Sequence, residues 1–180
     1  MTCIAAVVWG NKVTMGGDSA VTGYVEQTLA AKKVFRHGSF LLGYSGSVRM
    51  CNLLAYVFAP PELPADMPIE RYLTTLFADA LRTALKDAGN AYKEKEQEQS
   101  AGYFLLGYRD RLFRIGSDYS FVEVCEGYDA IGSGCEVALG ALHATHSLEL
   151  APRKRIELAL EAAADFCTGV GGPFTIEETT

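Results

Sequence analysis

Thr2 stands directly after Met1, and its small side chain permits methionine removal, which would leave threonine at the head of the chain. A threonine hydroxyl is a poor nucleophile unless a base lies beside it. The α-amine of the same residue, once freed, can be that base, because its ordinary pKa of about 7.7–8.0 leaves part of it unprotonated near neutrality. Alone this decides little, since small residues follow Met in many chains for processing reasons. Other chemically able residues also have plain readings. Asp18 after Gly16-Gly17 reads as a turn residue, Lys33 as a surface lysine, Gly46 as the glycine that lets a helix begin, and Ser133 as a helix cap. Asp165 lies near a helix end where a carboxylate opposes the dipole, which favours a paired or functional role. His143 and His146 are three apart on a predicted helix, but no acidic or thiol ligand completes a metal set, so they read as surface histidines.

The elements that must position these residues follow from periodicity. Cys3 to Trp9 is apolar on both alternating faces, as in a strand covered on each side. Gly10-Asn11 punctuates it, and Lys12 to Met15 returns as a hairpin. Gly16-Gly17 is expected to break the pattern before Asp18. Lys33 to Arg36 and Phe40 to Leu42 flank a turn at His37-Gly38-Ser39. Val48 to Phe58 fits a helix stopped by Ala59-Pro60-Pro61. Beyond a proline-rich loop, with Asp66 as the expected cap, Ile69, Tyr72, Leu73, Leu76, Phe77, Ala80, Leu81 and Ala84 keep an i, i+3, i+4, i+7 spacing. Lys93 to Glu98 reads as the exposed, fraying end of that helix.

Three strands are predicted next, at Tyr103 to Tyr108, Arg111 to Ile115 and Phe121 to Cys125. Helices follow at Cys135 to Thr145 and Lys154 to Cys167, the second opened by a basic run, Arg153-Lys154-Arg155, expected in solvent. Phe174 to Ile176 would be an edge strand. Strands, two helices, strands, two helices is the order of a layered α+β sandwich; a doubly wound fold would alternate singly.

Composition narrows the function classes. A length of 180 residues fits one domain, 1–180, with a full core. Apolar residues at 49% against 21% charged leave no disorder signature. A net charge of −6 argues against nucleic acid, since little would neutralise phosphates. No run reaches the ~18–20 apolar residues of a membrane span, and no basic segment precedes an apolar run as in a secretory signal. Cys3, Cys51, Cys125, Cys135 and Cys167 are odd in number, scattered and free of any Cys-x-x-Cys spacing. They read as reduced thiols of a cytoplasmic protein.

Several segments resemble, in order and with compatible spacing, the proteasome β subunits and HslV, threonine proteases of the N-terminal-nucleophile hydrolase superfamily. These are Thr2-Cys3-Ile4-Ala5-Ala6, Gly16-Gly17-Asp18-Ser19, Lys32-Lys33-Val34, Gly43-Tyr44-Ser45-Gly46-Ser47 and Ala130-Ile131-Gly132-Ser133-Gly134. The tail from Ile156 through Asp165, Cys167 and Thr168 to Thr175-Ile176-Glu177-Glu178 runs parallel to HslV. The resemblance implies a four-layer αββα sandwich and amide hydrolysis through an acyl-enzyme ester on Thr2. It implies that Lys33 places a positive charge beside the nucleophile, that Asp18 fixes Lys33, and that the Gly46 N–H faces the oxyanion. Ser133, Asp165 and Thr168 match the outer polar cluster that orients the amine. One interval departs from the pattern: Asp18 to Lys33 is one residue short of HslV, so Lys32 is the other candidate lysine. Thr168 stands where the family often has serine. While Met1 remains, the nitrogen of Thr2 is an amide and cannot act as base.

The same resemblance implies a monovalent cation such as sodium held by the carbonyls of Ala164, Cys167 and Val170, with no cofactor required for the chemistry. It implies a pocket from Val21, Ala31 and Val48 that suits apolar side chains. Homo-oligomeric rings and unfolded polypeptide substrates are expected too. Gly16-Gly17-Asp18-Ser19 lacks the spacing and lysine of a P-loop, so any ATP dependence would come from a separate unfoldase ring. A silent ring subunit that keeps Met1 and a small-molecule amidase of the same superfamily are the alternatives.

Overall fold

The computed structural model describes residues 1–22, 26–28, 32–94 and 97–180. Six strands come first: β1 (Cys3–Trp9), β2 (Lys12–Gly17), β3 (Ala20–Thr22), β4 (Glu26–Thr28), β5 (Val34–His37) and β6 (Phe40–Ser45). Helix α1 (Val48–Tyr56) follows, then a helical run of α2 (Ile69–Tyr72), a π-helical turn (Leu73–Phe77) and α3 (Ala78–Asp87). Five more strands are β7 (Ala91–Glu94), β8 (Gln97–Ser100), β9 (Tyr103–Tyr108), β10 (Arg111–Ile115) and β11 (Phe121–Glu123). The chain closes with β12 (Tyr128–Gly132), α4 (Cys135–Ala144), α5 (Pro152–Phe166) and β13 (Thr175–Glu178).

Two antiparallel sheets carry the fold. One has the order β12-β1-β2-β13, the other β11-β10-β9-β6-β5. Strand period dictates how they stack, because alternate side chains face opposite ways. In β1, Cys3, Ala5 and Val7 join Ala138, Leu142, Ile156 and Leu160 of α4 and α5, while Ile4 and Ala6 meet Leu41 and Leu105 of the other sheet. In β6, Leu41 faces the first sheet, whereas Phe40, Leu42 and Tyr44 pack under Leu54, Tyr72 and Phe77. Three apolar seams therefore separate four layers, helix–sheet–sheet–helix, the sandwich that the resemblance implies and the element order supports. Among the described residues no helix is long and apolar enough to cross a membrane.

Some local expectations are corrected. Gly16 and Gly17 do not break β2 but continue it. Their value is size: a Cβ on Gly17 would lie 2.8 Å from Ile4 Cδ1, and one on Gly16 would overlap Ile156 of α5. Asp66 caps nothing, since Pro68 takes the N-cap place of α2 with extended backbone (φ −56°, ψ 141°). The helical run stops at Asp87, and Gly89 at φ 72° reverses the chain. Of the segment expected to fray, Lys93 and Glu94 lie instead in β7 and Gln97 and Glu98 in β8, which pair antiparallel, and residues 95–96 lie outside the described residues. The basic run is not all in solvent. Arg153 and Lys154 pair with Glu157, but Arg155 is buried and its Nη2 donates to Leu142 O at 2.9 Å, closing the C-terminal end of α4.

The two sheets meet closely at Gly43, where a Cβ would stand 2.5 Å from Met15 Sδ and 2.6 Å from Ile4 Cγ2. Overfilling a packed core costs typically 1–3 kcal/mol. Gly43→Val should therefore lower stability by about 1–3 kcal/mol in urea unfolding, and an unchanged midpoint would contradict the close approach.

Candidate active site

Thr2 sits at the mouth of β1 and is only 5% exposed. Its backbone is held by the turn after β12. The Thr2 N–H donates to Ser133 Oγ at 3.1 Å, and Thr2 O accepts from Ser133 Oγ at 3.2 Å and from the Gly134 N–H at 3.3 Å. Gly132 is at φ 97°, and a Cβ there would overlap Thr2 O. Only glycine serves at this position.

Asp18 and Lys33 meet beneath Thr2. Asp18 follows β2, and its Oδ1 accepts the Cys3 N–H at 2.9 Å while Oδ2 accepts the Ala20 N–H at 3.1 Å. Lys33 Nζ lies 2.8 Å from Asp18 Oδ1, with side-chain exposures of 2% and 0% for the two residues. Lys33 also donates to Ala20 O at 2.7 Å and to Met1 O at 3.3 Å. An ammonium has three protons, and here each has an acceptor. Lys32 points elsewhere: it is exposed and pairs with Glu177 Oε1 at 3.0 Å. The Thr2 hydroxyl donates to the same Met1 O at 2.7 Å. The Thr2 hydroxyl and the Lys33 ammonium thus converge on one oxygen.

A cavity of about 200 Å³ opens beside them, lined by Thr2, Lys33 and Gly46 with Val21, Tyr44, Ser47 and Val48. Val21 and Val48 are at the wall as expected, and Ala31 lies outside the described residues. Tyr44 has no role in the sequence reading, although the alternation of β6 places it on the same side as Phe40 and Leu42. It is buried, its hydroxyl donates to Ser47 O at 3.4 Å, and burial raises its phenol well above the usual range. Ser47 caps α1, accepting the Met50 N–H at 3.2 Å. Burial, with the Asp18 carboxylate nearby, pushes the Cys3 thiol up to about 12. Cys3 therefore stays protonated at neutral pH and does not compete as a nucleophile.

Asp165 and Thr168 make no bond to this group among the described residues. Asp165 in the last turn of α5 and Thr168 in the turn after it are both exposed, with no side-chain hydrogen bond or ion pair among the described residues. The end of α5 does approach the Thr2 turn, since a Cβ on Gly134 would stand 3.1 Å from Ala163 Cβ. Of the three carbonyls considered for a cation, that of Cys167 accepts the Val170 N–H at 3.2 Å. Ala164 is in the last turn of α5, where carbonyls lack intrahelical partners. His143 bonds Tyr128 OH at 2.8 Å, and among the described residues no cluster of His, Cys, Asp or Glu is arranged to hold a metal.

No family model matches the chain. Solved structures do. BPH from Thiobacillus denitrificans, in complex with epoxomicin, aligns at a TM-score of 0.82 and 23% identity, covering 99% of this chain and 98% of that one. Eukaryotic HslV from Trypanosoma brucei aligns at 0.68 and 19%, covering 98% of each. Anbu, an ancestral β-subunit, from Yersinia bercovieri aligns at 0.70 and 14%, covering 99% of this chain and 81% of that one. The chain has the αββα fold of the N-terminal-nucleophile hydrolases, shared with HslV and Anbu.

Two outcomes follow from this geometry. Breaking a buried ion pair from one side leaves an uncompensated charge, at about 3–5 kcal/mol. Asp18→Ala should therefore lower unfolding stability by about that much, and a loss below about 1 kcal/mol would mean the pair is solvated. At pH 8 a maleimide should modify exposed Cys125 and spare Cys3 until the protein unfolds. Fast labelling of Cys3, read by peptide mass, would contradict its burial.

Proposed function

We propose that this chain is a threonine endopeptidase, the proteolytic subunit of a self-compartmentalising ring of the HslV and proteasome kind, active once Met1 is removed. The observation that carries the reading is the Lys33 ammonium, buried against Asp18 and sharing the Met1 carbonyl with the Thr2 hydroxyl. Loss of Met1 removes one of the three acceptors around Lys33 Nζ. The freed N–H then faces the hydroxyl of a threonine that has gained a free amine.

The chemistry follows. The Thr2 amine takes the hydroxyl proton, and the adjacent Lys33 charge favours the developing alkoxide. Thr2 Oγ1 attacks the scissile carbonyl, whose oxygen is received by the Gly46 N–H. A donor of this kind is worth about 3–4 kcal/mol in the transition state. The amine returns its proton to the leaving nitrogen, giving an ester on Thr2, which water hydrolyses to release acid and free hydroxyl. Ser133 holds the Thr2 nitrogen in place, while Asp165 and Thr168 serve as the outer polar groups toward that amine. The carbonyls of Ala164, Cys167 and Val170 would hold a monovalent cation such as sodium, a hard ion suited to carbonyl oxygen. The apolar wall of Val21 and Val48 favours cleavage after apolar side chains.

Rings of identical subunits, cytoplasmic placement, unfolded polypeptide as substrate and a separate ATP-driven unfoldase complete the reading. What supports them is the shared fold with HslV and Anbu. Epoxomicin, bound in the BPH complex, is the natural probe. One observation favours a second, silent state: while Met1 remains, its carbonyl occupies the Thr2 hydroxyl, so an unprocessed chain is an inert ring subunit.

Purified protein should have an intact mass lacking one methionine and should hydrolyse unfolded polypeptide. Thr2→Ala should lower the rate by about 10³-fold or more. A Thr2→Ala variant with wild-type turnover would remove Thr2 as nucleophile, and a fully retained methionine would favour the silent subunit.

A further inference from the structure

The Gly46 N–H has no side chain to aim it, so its direction depends on what holds the Ser45–Gly46 peptide. In a trans peptide the C=O and N–H point opposite ways, and this peptide is trans. Ser45 pairs with Tyr103 at the end of the β6–β9 ladder, and its carbonyl faces Gly102. A Cβ on Gly102 would overlap Ser45 O and lie 2.7 Å from Met50 Cε. A Cβ on Gly46 would in turn stand 2.9 Å from Ala101 O and 3.4 Å from Gly102 Cα. The segment Ser100–Gly102 therefore lies flat on Ser45–Gly46, and the N–H is turned away from it. Ser100 secures the segment, its Oγ donating to Gly102 O at 3.0 Å and its N–H to Ser117 O at 2.6 Å.

A second contact reaches the next residue along. Ser47 Oγ donates to Asn90 Oδ1 at 3.4 Å, a long bond, while it accepts the Met50 N–H. Asn90 is itself tied to the end of α3, its Nδ2 donating to Ala88 O at 3.2 Å and its N–H to Leu85 O at 2.8 Å. Neither Asn90 nor Gly102 lines the cavity.

We propose that Gly102 and Asn90 are positioning residues: Gly102 backs the Ser45–Gly46 peptide, Asn90 steadies Ser47, and together they keep the Gly46 N–H aimed at the scissile carbonyl. The proposal rests on the hydrolase reading above. Any side chain at position 102 pushes on Ser45 O and rotates the whole peptide unit, which swings the N–H with it. Loss of the Asn90 side chain removes only one hydrogen bond to Ser47, and a long one, so its effect is smaller.

The Asn90 amide makes two bonds that an aspartate separates. Asn90→Asp keeps the acceptor for Ser47 and loses the donor to Ala88 O; Asn90→Ala loses both. With Met1-free protein and a fluorogenic peptide, Asn90→Ala should lower kcat by about two- to tenfold, the worth of one hydrogen bond, with KM nearly unchanged. Asn90→Asp should restore kcat. Gly102→Ala should lower kcat by about 10²-fold, as when an oxyanion donor is lost. Wild-type kcat in Asn90→Ala, or failure of Asn90→Asp to rescue, would overturn the role of Asn90. A folded Gly102→Ala protein with wild-type kcat would overturn that of Gly102. Hydrogen–deuterium exchange of the peptide covering residues 41–50 reads the same restraint without turnover. Exchange should be faster in Asn90→Ala and restored in Asn90→Asp, and unchanged exchange in Asn90→Ala would overturn the proposal even where Gly102→Ala does not fold. Wild-type protein without peptidase activity would sink the hydrolase reading and leave this exchange test standing.

Discussion

An ammonium and a carboxylate buried together in a protein core are the constraint from which the rest of this structure follows. Lys33 and Asp18 are nearly inaccessible to water, and burying charge costs several kcal/mol per ion unless each is paired and fully hydrogen-bonded. The surroundings meet that demand in full. Asp18 receives backbone N–H groups from Cys3 and Ala20 as well as the ammonium. Lys33 gives its three protons to Asp18, Ala20 and Met1. The pair thereby ties the start of β1, the end of β2 and the approach to β5 into one knot. Stability alone would be served as well by apolar residues of similar volume. A charged pair stands there instead, with one ammonium donor on the same Met1 oxygen that accepts the Thr2 hydroxyl.

The four layers exist around that knot. Glycines set how near the layers come, at Gly43 between the sheets and at Gly16 beneath α5. Those short separations let Thr2, Lys33 and Gly46 border one cavity although they are far apart in sequence. The turn Gly132-Ser133-Gly134 fixes the Thr2 backbone from the other side. The Thr2 hydroxyl then has little freedom apart from its own rotation, the kind of pre-arrangement that lowers the entropic part of a reaction barrier.

Much of this was legible in the residues. Alternation in β1 and the turn at Gly10 identify the first hairpin, because strand period and turn chemistry are local. The choice between Lys32 and Lys33 is left open by the sequence and is made by the fold: Lys33, just before β5, meets Asp18, while Lys32 is exposed and pairs with Glu177. Less legible were features that depend on distant partners. Gly16-Gly17 looks like a break because a sequence does not display Ile156 waiting to pack there. Arg155 looks solvated until α4 offers it the Leu142 carbonyl. The β7–β8 hairpin is polar and charged, so no apolar alternation marked it. Thr168 entered through resemblance alone and Asp165 through resemblance and its unfavourable place against the helix dipole, and both are exposed in the structure.

The most direct measurement is a crystal structure of the chain after Met1 has been removed. The account predicts Lys33 Nζ still bonded to Asp18 and Ala20, with its third N–H turned to Thr2 Oγ1 at about 3 Å. A Lys33 side chain withdrawn from Thr2, with its ammonium more than about 5 Å from the hydroxyl, would contradict it.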